Sequence, residues 1–264
     1  MPTVLSSDFP VHVETNGDDR RPALLLINPL GTTLEVWDPF LHDLCSHNWV
    51  IRFDLRGHGR SEGAVDSFEV SDIAADALAV LDALEVPRAH VFGASFGGMV
   101  ALFLAADHPD RVDRLVLAST APMLGPDRWW KRTIREVDEG GLRSVADHVE
   151  RVLFSKEWLE ACPEKAEAAR AMFLRTPADA YVAGARAILH ADLRDAARRV
   201  RASTLVIFGE KDPVLAHFPA SDLIDTIADS EGVQVGGSAH RVIVEQPGIL
   251  APLVCDFLTD PDGR

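Results

Sequence analysis

The chemistry legible in this sequence starts from one serine, one aspartate and one histidine. Ser95 lies in Gly93-Ala94-Ser95-Phe96-Gly97, the G-x-S-x-G spacing of a nucleophile elbow, a sharp strand-to-helix turn that lifts the hydroxyl clear of a sheet. A Cβ two residues before or after the serine would collide with the adjoining strand or helix in so tight a turn, so both places call for glycine. Gly98 would let the new helix pack closely. The spacing alone also fits a glycine-rich turn with an idle serine. Its surroundings argue for the elbow: the apolar run "AHVFGA" precedes it and the helical pattern "FGGMVALFLAADHP" follows, which is the context the motif requires.

A serine hydroxyl is a weak nucleophile. It needs a histidine to take its proton, and the histidine needs a carboxylate to fix its tautomer and stabilise the imidazolium. For this elbow the chain order is serine, then acid, then histidine. "VIFGEKDPVL" supplies Asp212 just after a strand pattern, and "VGGSAHRVIVEQP" supplies His240 in a loop between the last strand and the last helix. Glu210 is the rival acid, nearer the strand. Among the ten histidines, His58 in "DLRGHGRS" precedes the elbow and reads as a turn residue. His190 falls in a helical region, and His217 follows Asp212 too closely.

The charge that develops on a tetrahedral intermediate needs fixed donors. The Phe96 N–H, directly after the nucleophile, is one. The second is expected from the turn in "LLLINPLGTT", where Leu30 is the candidate because Pro29 has no N–H to give. Gly31 would allow close approach.

These residues must be held by a scaffold, and its outline is visible. "VHVET", "ALLLIN", "VIRFD", "HVFGA", "RLVLAS", "TLVIF" and "VQVGG" read as strands, most with the near-continuous apolar character of strands covered on both faces. Helical patterns lie between them, notably "SDIAADALAVLDALE" and "PGILAPLVCDFL". Alternation of this kind implies an α/β fold with a mostly parallel central sheet, right-handed crossovers and flanking helices. From residue 122 to 201 the strands stop and only helical patterns remain, including "KRTIREVDEGGLRSVADHVERVL" and "PEKAEAARAMFLR". Residues 1–121 and 202–264 are therefore expected to form the core, and residues 122–201 an inserted helical cap folding as one unit with it.

Composition narrows the function. The chain has 264 residues, 47% hydrophobic and 25% charged, with no run of 18 or more apolar residues that would span a membrane. "MPTVLSSDFPVHVE" lacks the basic start and apolar centre of a signal peptide, so a cytoplasmic location is expected. A formal net charge of −15 argues against nucleic acid or an anionic membrane as partner. Cys45, Cys162 and Cys255 are odd in number and scattered, so they read as buried apolar residues rather than as disulfides or metal ligands. The expected partner is a small molecule, with no cofactor and no metal, and either a monomer or a homodimer fits.

One local exception to the negative charge stands out. "RWWKRTIR" holds Arg128, Lys131, Arg132 and Arg135 without an acid, at spacings that place them on one helix face. Such a face is either plainly solvated or built to meet an anion. Trp129 and Trp130 beside it read as cap core or as a platform for substrate.

Together these residues resemble the α/β-hydrolase superfamily over nearly the whole chain, and more closely the 3-oxoadipate enol-lactonases. The likeness rests on "NPLGTTLEVWDP", "FDLRGHGRS", "GASFGGMVA", "AHRVIVEQP" and the cap segment "TPADAYVAGARAILHADLRD". The resemblance implies Ser95, Asp212 and His240 as a triad, Leu30 and Phe96 as oxyanion donors, and an enol-lactone with a free carboxylate as substrate. Arginine suits such a carboxylate through its planar fork, which makes Trp129, Trp130, Arg132 and Arg135 the expected substrate contacts. The chain departs from the family at Phe96, where leucine is commoner, and at Val242 and Ile243, where polar residues are commoner. Val242 is therefore expected to face the pocket and alter substrate choice. Haloalkane dehalogenases and epoxide hydrolases of this fold carry a carboxylate at the elbow, so the serine sets them aside. A carboxylesterase, a thioesterase or a C–C hydrolase would use the same chemistry on another substrate, and a triad-bearing ligand-binding or signalling protein is a further reading.

Overall fold

All seven apolar runs become strands, and an eighth is added at one edge. The computed structural model describes residues 3–6 and 9–259, so the outer ends of the expected core segments, residues 1–2 and 260–264, lie outside the described residues. The strands are β1 (Thr3–Ser6), β2 (Phe9–Asn16), β3 (Ala23–Ile27), β4 (Trp49–Phe53), β5 (Ala89–Ala94), β6 (Val112–Ala118), β7 (Ser203–Gly209) and β8 (Ser230–Val235). They form one sheet in the order β1-β2-β4-β3-β5-β6-β7-β8. Only the β1–β2 and β2–β4 pairs are antiparallel, and every pair from β4 to β8 is parallel.

The near-continuous apolar runs are explained by what lies on the two faces. In β3, Leu25 and Ile27 point to one apolar cluster while Leu24 and Leu26 point to the other, and β5 and β6 divide in the same way. Side chains along a strand alternate between faces, so a strand covered on both sides can be apolar at every position. Helices α1 (Leu41–Leu44), α2 (Val70–Ala83) and α3 (Phe96–Asp107) come from the first half of the core. α2 and α3 pack together on one face, and α1 shares the other with a 3₁₀ helix over Leu34–Phe40 and with the C-terminal helix. α3 is buried along almost its whole circumference, because it lies between the sheet, α2 and the segment that follows β6.

Between β6 and β7 the chain forms α4 (Asp127–Gly140), α5 (Ala146–Leu153), α6 (Lys156–Ala161), α7 (Pro163–Arg175), α8 (Ala178–His190) and α9 (Arg194–Ala197). The pattern running through residues 131–153 is two helices, not one. α4 ends at Gly140, and Gly141 adopts φ +67°, a conformation that a helix cannot continue through and that glycine takes readily. Pro163 opens α7 at a first-turn position, where its missing N–H costs nothing. Apolar side chains of α4, α5, α7 and α8 belong to the same buried cluster as α2, α3 and one face of the sheet. The last helices are α10 (Ser221–Thr226), α11 (Val242–Glu245) and α12 (Pro247–Thr259). Among the described residues no helix is long and apolar enough to cross a membrane.

Parallel pairing gathers the strand ends that matter. Ile27 pairs with Gly93, Gly93 with Leu117, and Ala118 with Ile207. The loops after β3, β5, β6 and β7 therefore leave the sheet side by side at its carboxyl edge, where open parallel sheets place their ligand crevices.

Candidate active site

The turn from β5 into α3 is as tight as its glycines require. A Cβ on Gly93 would stand 2.2 Å from the Gly97 carbonyl oxygen, and one on Gly97 would stand 2.1 Å from that of Ile27. Between them Ser95 is held at φ 54°, ψ −118°, a conformation that a non-glycine residue adopts only where its surroundings impose it. Three contacts impose it: the Ser95 N–H donates to the Ala118 carbonyl at 2.8 Å, its carbonyl accepts from Thr120 Oγ1 at 2.8 Å, and Gly98 abuts the Thr120 side chain.

Ser95, His240 and Asp212 meet at the sheet edge. Ser95 Oγ lies 2.8 Å from His240 Nε2, and His240 Nδ1 lies 2.8 Å from Asp212 Oδ2. An ionised carboxylate only accepts, so the imidazole carries its proton on Nδ1 and leaves Nε2 to accept from the serine hydroxyl. The other oxygen of Asp212 accepts from the N–H groups of Val214 and Leu215, at 2.9 and 3.4 Å. The histidine and aspartate side chains are 3% and 2% exposed, so their hydrogen bond is shielded from competing water. Glu210 does something else: it accepts from the Gly237 N–H at 2.8 Å, bracing the loop that carries His240.

The turn after β3 is fixed from several sides. Asn28 accepts from Trp37 Nε1 at 2.8 Å and donates to the Phe53 carbonyl at 3.1 Å. Thr32 Oγ1 donates to the Pro29 carbonyl at 2.7 Å. Beyond Pro29 the Leu30 carbonyl accepts from Arg241 Nη2 at 2.9 Å, and the Gly31 N–H donates to His58 Nε2 at 3.3 Å. The Leu30 N–H itself donates to no carbonyl or side chain among the described residues. Phe96 is the first residue of α3, where a backbone N–H has no intrahelical acceptor. Both expected donors are thus unengaged. His58 is fully buried, and burial pushes its pKa down to about 4, so it is a neutral acceptor toward Gly31 and donates through Nδ1 to the Arg56 carbonyl at 3.0 Å.

A cavity of about 20 Å³ opens on Ser95 and His240, lined also by Leu30, Trp129, Trp130 and Tyr181. Trp130 Nε1 donates to the Leu124 carbonyl and Trp129 Nε1 to His148, which sets the two indoles edge to face at 4.3 Å. A larger cavity of about 300 Å³ lies alongside, between α5, α7 and the loop after β3. The two share Val149, Leu153, Phe173 and Arg241 as walls.

Three expected contacts are elsewhere. Arg132 and Arg135 project from the exposed face of α4 and line neither cavity. Arg132 pairs with Glu136, and Lys131 with Asp127, which is how a solvated helix face satisfies its charges. An i, i+3, i+4 spacing fixes which residues share a face but not which way that face looks. Val242 is fully buried in the apolar cluster under the sheet, together with Ile243; α11 turns them inward, and Val244 meets the larger cavity instead. Of the cysteines only Cys255 is buried, Cys45 and Cys162 being half-buried.

Two further residues of the site lie in the segment "AHRVIVEQP", whose spacing is legible but whose Arg241 and Glu245 take no role from it. Glu245 is buried and accepts from the Ala239 N–H at 3.0 Å and from Ser155, between α5 and α6. Arg241, directly after His240, is 7% exposed and has no acidic partner among the described residues. A single charge ahead of the apolar Val242-Ile243-Val244 was the available hint.

Comparison with known proteins gives a consistent picture. The family profile described as alpha/beta hydrolase fold matches residues 22–247. A 3-oxoadipate enol-lactonase of Acinetobacter baylyi is 31% identical over 245 residues, 93% of this chain and 91% of that protein. A 2-hydroxymuconate semialdehyde hydrolase of a Pseudomonas species is 30% identical, covering 91% and 88%. The crystal structure of the enol-lactonase from Burkholderia xenovorans superimposes with a TM-score of 0.95 at 30% identity, over 98% of this chain and all of the other.

Proposed function

Since the chain belongs to the alpha/beta hydrolase family, we propose that it is a serine hydrolase that opens a small carboxylated enol-lactone of the 3-oxoadipate type. One observation carries the chemistry: the continuous hydrogen-bonded line from Ser95 Oγ through His240 to Asp212, at 2.8 Å in both steps. The likeness to two enol-lactonases, one in sequence and one in structure, supports the substrate.

In this reading the Ser95 oxygen attacks the lactone carbonyl while His240 Nε2 takes the hydroxyl proton. Asp212 stabilises the imidazolium that forms. The N–H groups of Leu30 and Phe96 receive the charge on the carbonyl oxygen. Collapse of the tetrahedral intermediate breaks the ring C–O bond. The leaving enol oxygen takes the proton from the His240 imidazolium and the enol tautomerises to a ketone; because that oxygen belongs to the lactone ring, the group stays attached to the acyl chain. Water then attacks the acyl-enzyme, giving its proton to His240, and releases a keto acid with Ser95 restored. No step calls on a cofactor or metal.

Relatives of nearly equal identity bear the names of a lactonase and of a semialdehyde hydrolase, which favours a second reading: the same triad serving an ester, thioester or C–C substrate. Turnover of 3-oxoadipate enol-lactone, formed in place from muconolactone, is to be compared with that of 4-nitrophenyl acetate. The lactonase reading expects a kcat/KM of about 10⁴ M⁻¹s⁻¹ or more for the lactone, far above the acetate. Hydrolysis of the acetate alone would retain the triad and discard the lactone. Turnover by the Ser95→Ala variant would overturn the mechanism itself.

A further inference from the structure

Arg241 is a buried cation without a counter-ion. It is 7% exposed, and no carboxylate among the described residues lies within ion-pair distance of it. Nη2 is engaged by the Leu30 carbonyl at 2.9 Å, whereas Nη1 is buried with no hydrogen-bond partner. The two acids in the wall of the larger cavity are committed elsewhere: Glu150 pairs with Arg170, and Glu35 with Arg60. Burial alone draws the guanidinium pKa down, to about 10, so the group remains charged at neutral pH. Buried arginines are ordinarily paired, because taking an ion out of water is costly unless an opposite charge meets it. In a chain with 41 acids and 26 lysines and arginines, an unpaired buried arginine beside the nucleophile is a feature that folding alone does not account for.

Its position gives the charge a use. Arg241 lines both the small cavity at Ser95 and the larger cavity beside it. Its backbone N–H is fixed to the Leu153 carbonyl of α5 at 2.8 Å, and its fork is oriented by Leu30, whose N–H is the expected oxyanion donor. A guanidinium in that place keeps one donor, Nη1, unengaged in a side chain that walls both cavities.

We propose that Arg241 is the specificity-determining residue of the site, taking the free carboxylate of an ester or lactone whose scissile carbonyl lies a few carbons away. The carboxylate supplies the missing counter-ion and accepts from Nη1, while Nη2 keeps its bond to Leu30. The anion is thereby recognised inside the cavity, and not on the exposed face of α4. This assignment rests on Ser95 acting as the nucleophile.

Two substrates with one leaving group and one chain length test it: the 4-nitrophenyl monoester of adipic acid, which is anionic, and 4-nitrophenyl hexanoate, which is neutral. Arg241→Gln removes the charge but keeps a donor for the Leu30 carbonyl. It is expected to lower the ratio of kcat/KM values, anionic over neutral, by about 30-fold, the size of one charge-assisted hydrogen bond in a buried site. Arg241→Met should lower the ratio as far and reduce both rates further, by loosening Leu30. If either variant slows both esters equally, the arginine only braces the turn and the proposal is overturned. Where neither variant folds, wild-type hydrolysis of the hexanoate decides: competitive inhibition by adipate but not by adipamide supports the assignment, and equal inhibition by both refutes it. Absence of Ser95-dependent turnover of either ester by the wild type would overturn the hydrolase reading, and this one with it.

Discussion

Arg241 and His58 hold opposite ends of a single peptide unit. The Leu30 carbonyl accepts from the arginine at 2.9 Å and the next N–H, that of Gly31, donates to the histidine at 3.3 Å. A turn of Pro29, Leu30 and Gly31 has no secondary structure of its own to fix it. Rigidity there comes from side chains that arrive from distant parts of the sequence. That pinning holds the free Leu30 N–H in place, as its proposed role as an oxyanion donor requires, since a donor aimed before substrate arrives needs no reorganisation during reaction.

His58 should give this turn a pH dependence of definite sign. Its pKa in the fold is pushed down to about 4 by burial, against about 6.5 in an unfolded chain. Between those values the unfolded state binds the extra proton, so stability is lost as pH falls from 6.5 toward 4. Over the interval from pH 6.5 to 5 this group accounts for about 2 kcal/mol. The His58→Gln variant, which cannot titrate, is expected to show a correspondingly flatter dependence in urea denaturation. Parallel curves for the two proteins would mean that His58 is not held neutral.

Glu245 couples the helical segment between β6 and β7 to the loop that carries His240. Its carboxylate accepts from the N–H and hydroxyl of Ser155 on one side and from the Ala239 N–H on the other. Glu245→Ala strands three buried donors, and each costs about 1 kcal/mol or more when unpaired. A loss of about 3 kcal/mol in denaturant stability is expected, with a fall in kcat that exceeds any change in KM, because His240 follows Ala239 directly. Stability and kcat within twofold of wild type would show that water replaces the carboxylate.

Much of this arrangement is readable in the sequence. The strands were legible because both faces of the sheet are covered, which leaves unbroken apolar runs such as Leu24–Ile27. β1 is not legible because a four-residue edge strand carries too short an alternation to register. Ser95 is legible because its turn admits only glycine two residues before and two residues after it. The loop residues after β7 and β8 were legible from chain order and from their place after a strand. What pattern could not supply was direction. The basic stripe of α4 is real as a stripe but faces solvent, and Val242 follows the histidine but turns into the core. Arg241 and Glu245 act through partners 211 and 90 residues away, and no local pattern encodes contacts of that range.

The two acids after β7 should separate cleanly. Asp212 meets His240 Nδ1, and Glu210 meets only the Gly237 N–H. Asp212→Asn keeps the shape but presents a donor or an uncharged acceptor to the imidazole, so kcat is expected to fall by about 10³ to 10⁴. Glu210→Gln should cost less than tenfold in kcat, since its effect reaches His240 only through the loop. The comparison is read from kcat for 4-nitrophenyl acetate in both variants, and a reversed order would exchange the roles of the two residues.

The elbow makes its own demand on stability. A Cβ at Gly97 would stand 2.1 Å from the Ile27 carbonyl oxygen and 2.6 Å from that of Asn28. Both are backbone atoms at the end of β3, next to the turn that carries Leu30, and neither can rotate away. Gly236, by contrast, has nothing within 4 Å of where its Cβ would lie. Gly97→Ala is therefore expected to cost about 3 kcal/mol or more, at the upper end of overpacking, and to reduce kcat by displacing Ser95 and Leu30 relative to each other. Gly236→Ala should leave the denaturation midpoint within about 0.5 kcal/mol of wild type. Equal stability of the two variants would mean that β3 and α3 have slack at their closest approach, and that the spacing of the glycines around Ser95 is not set by contact with the sheet.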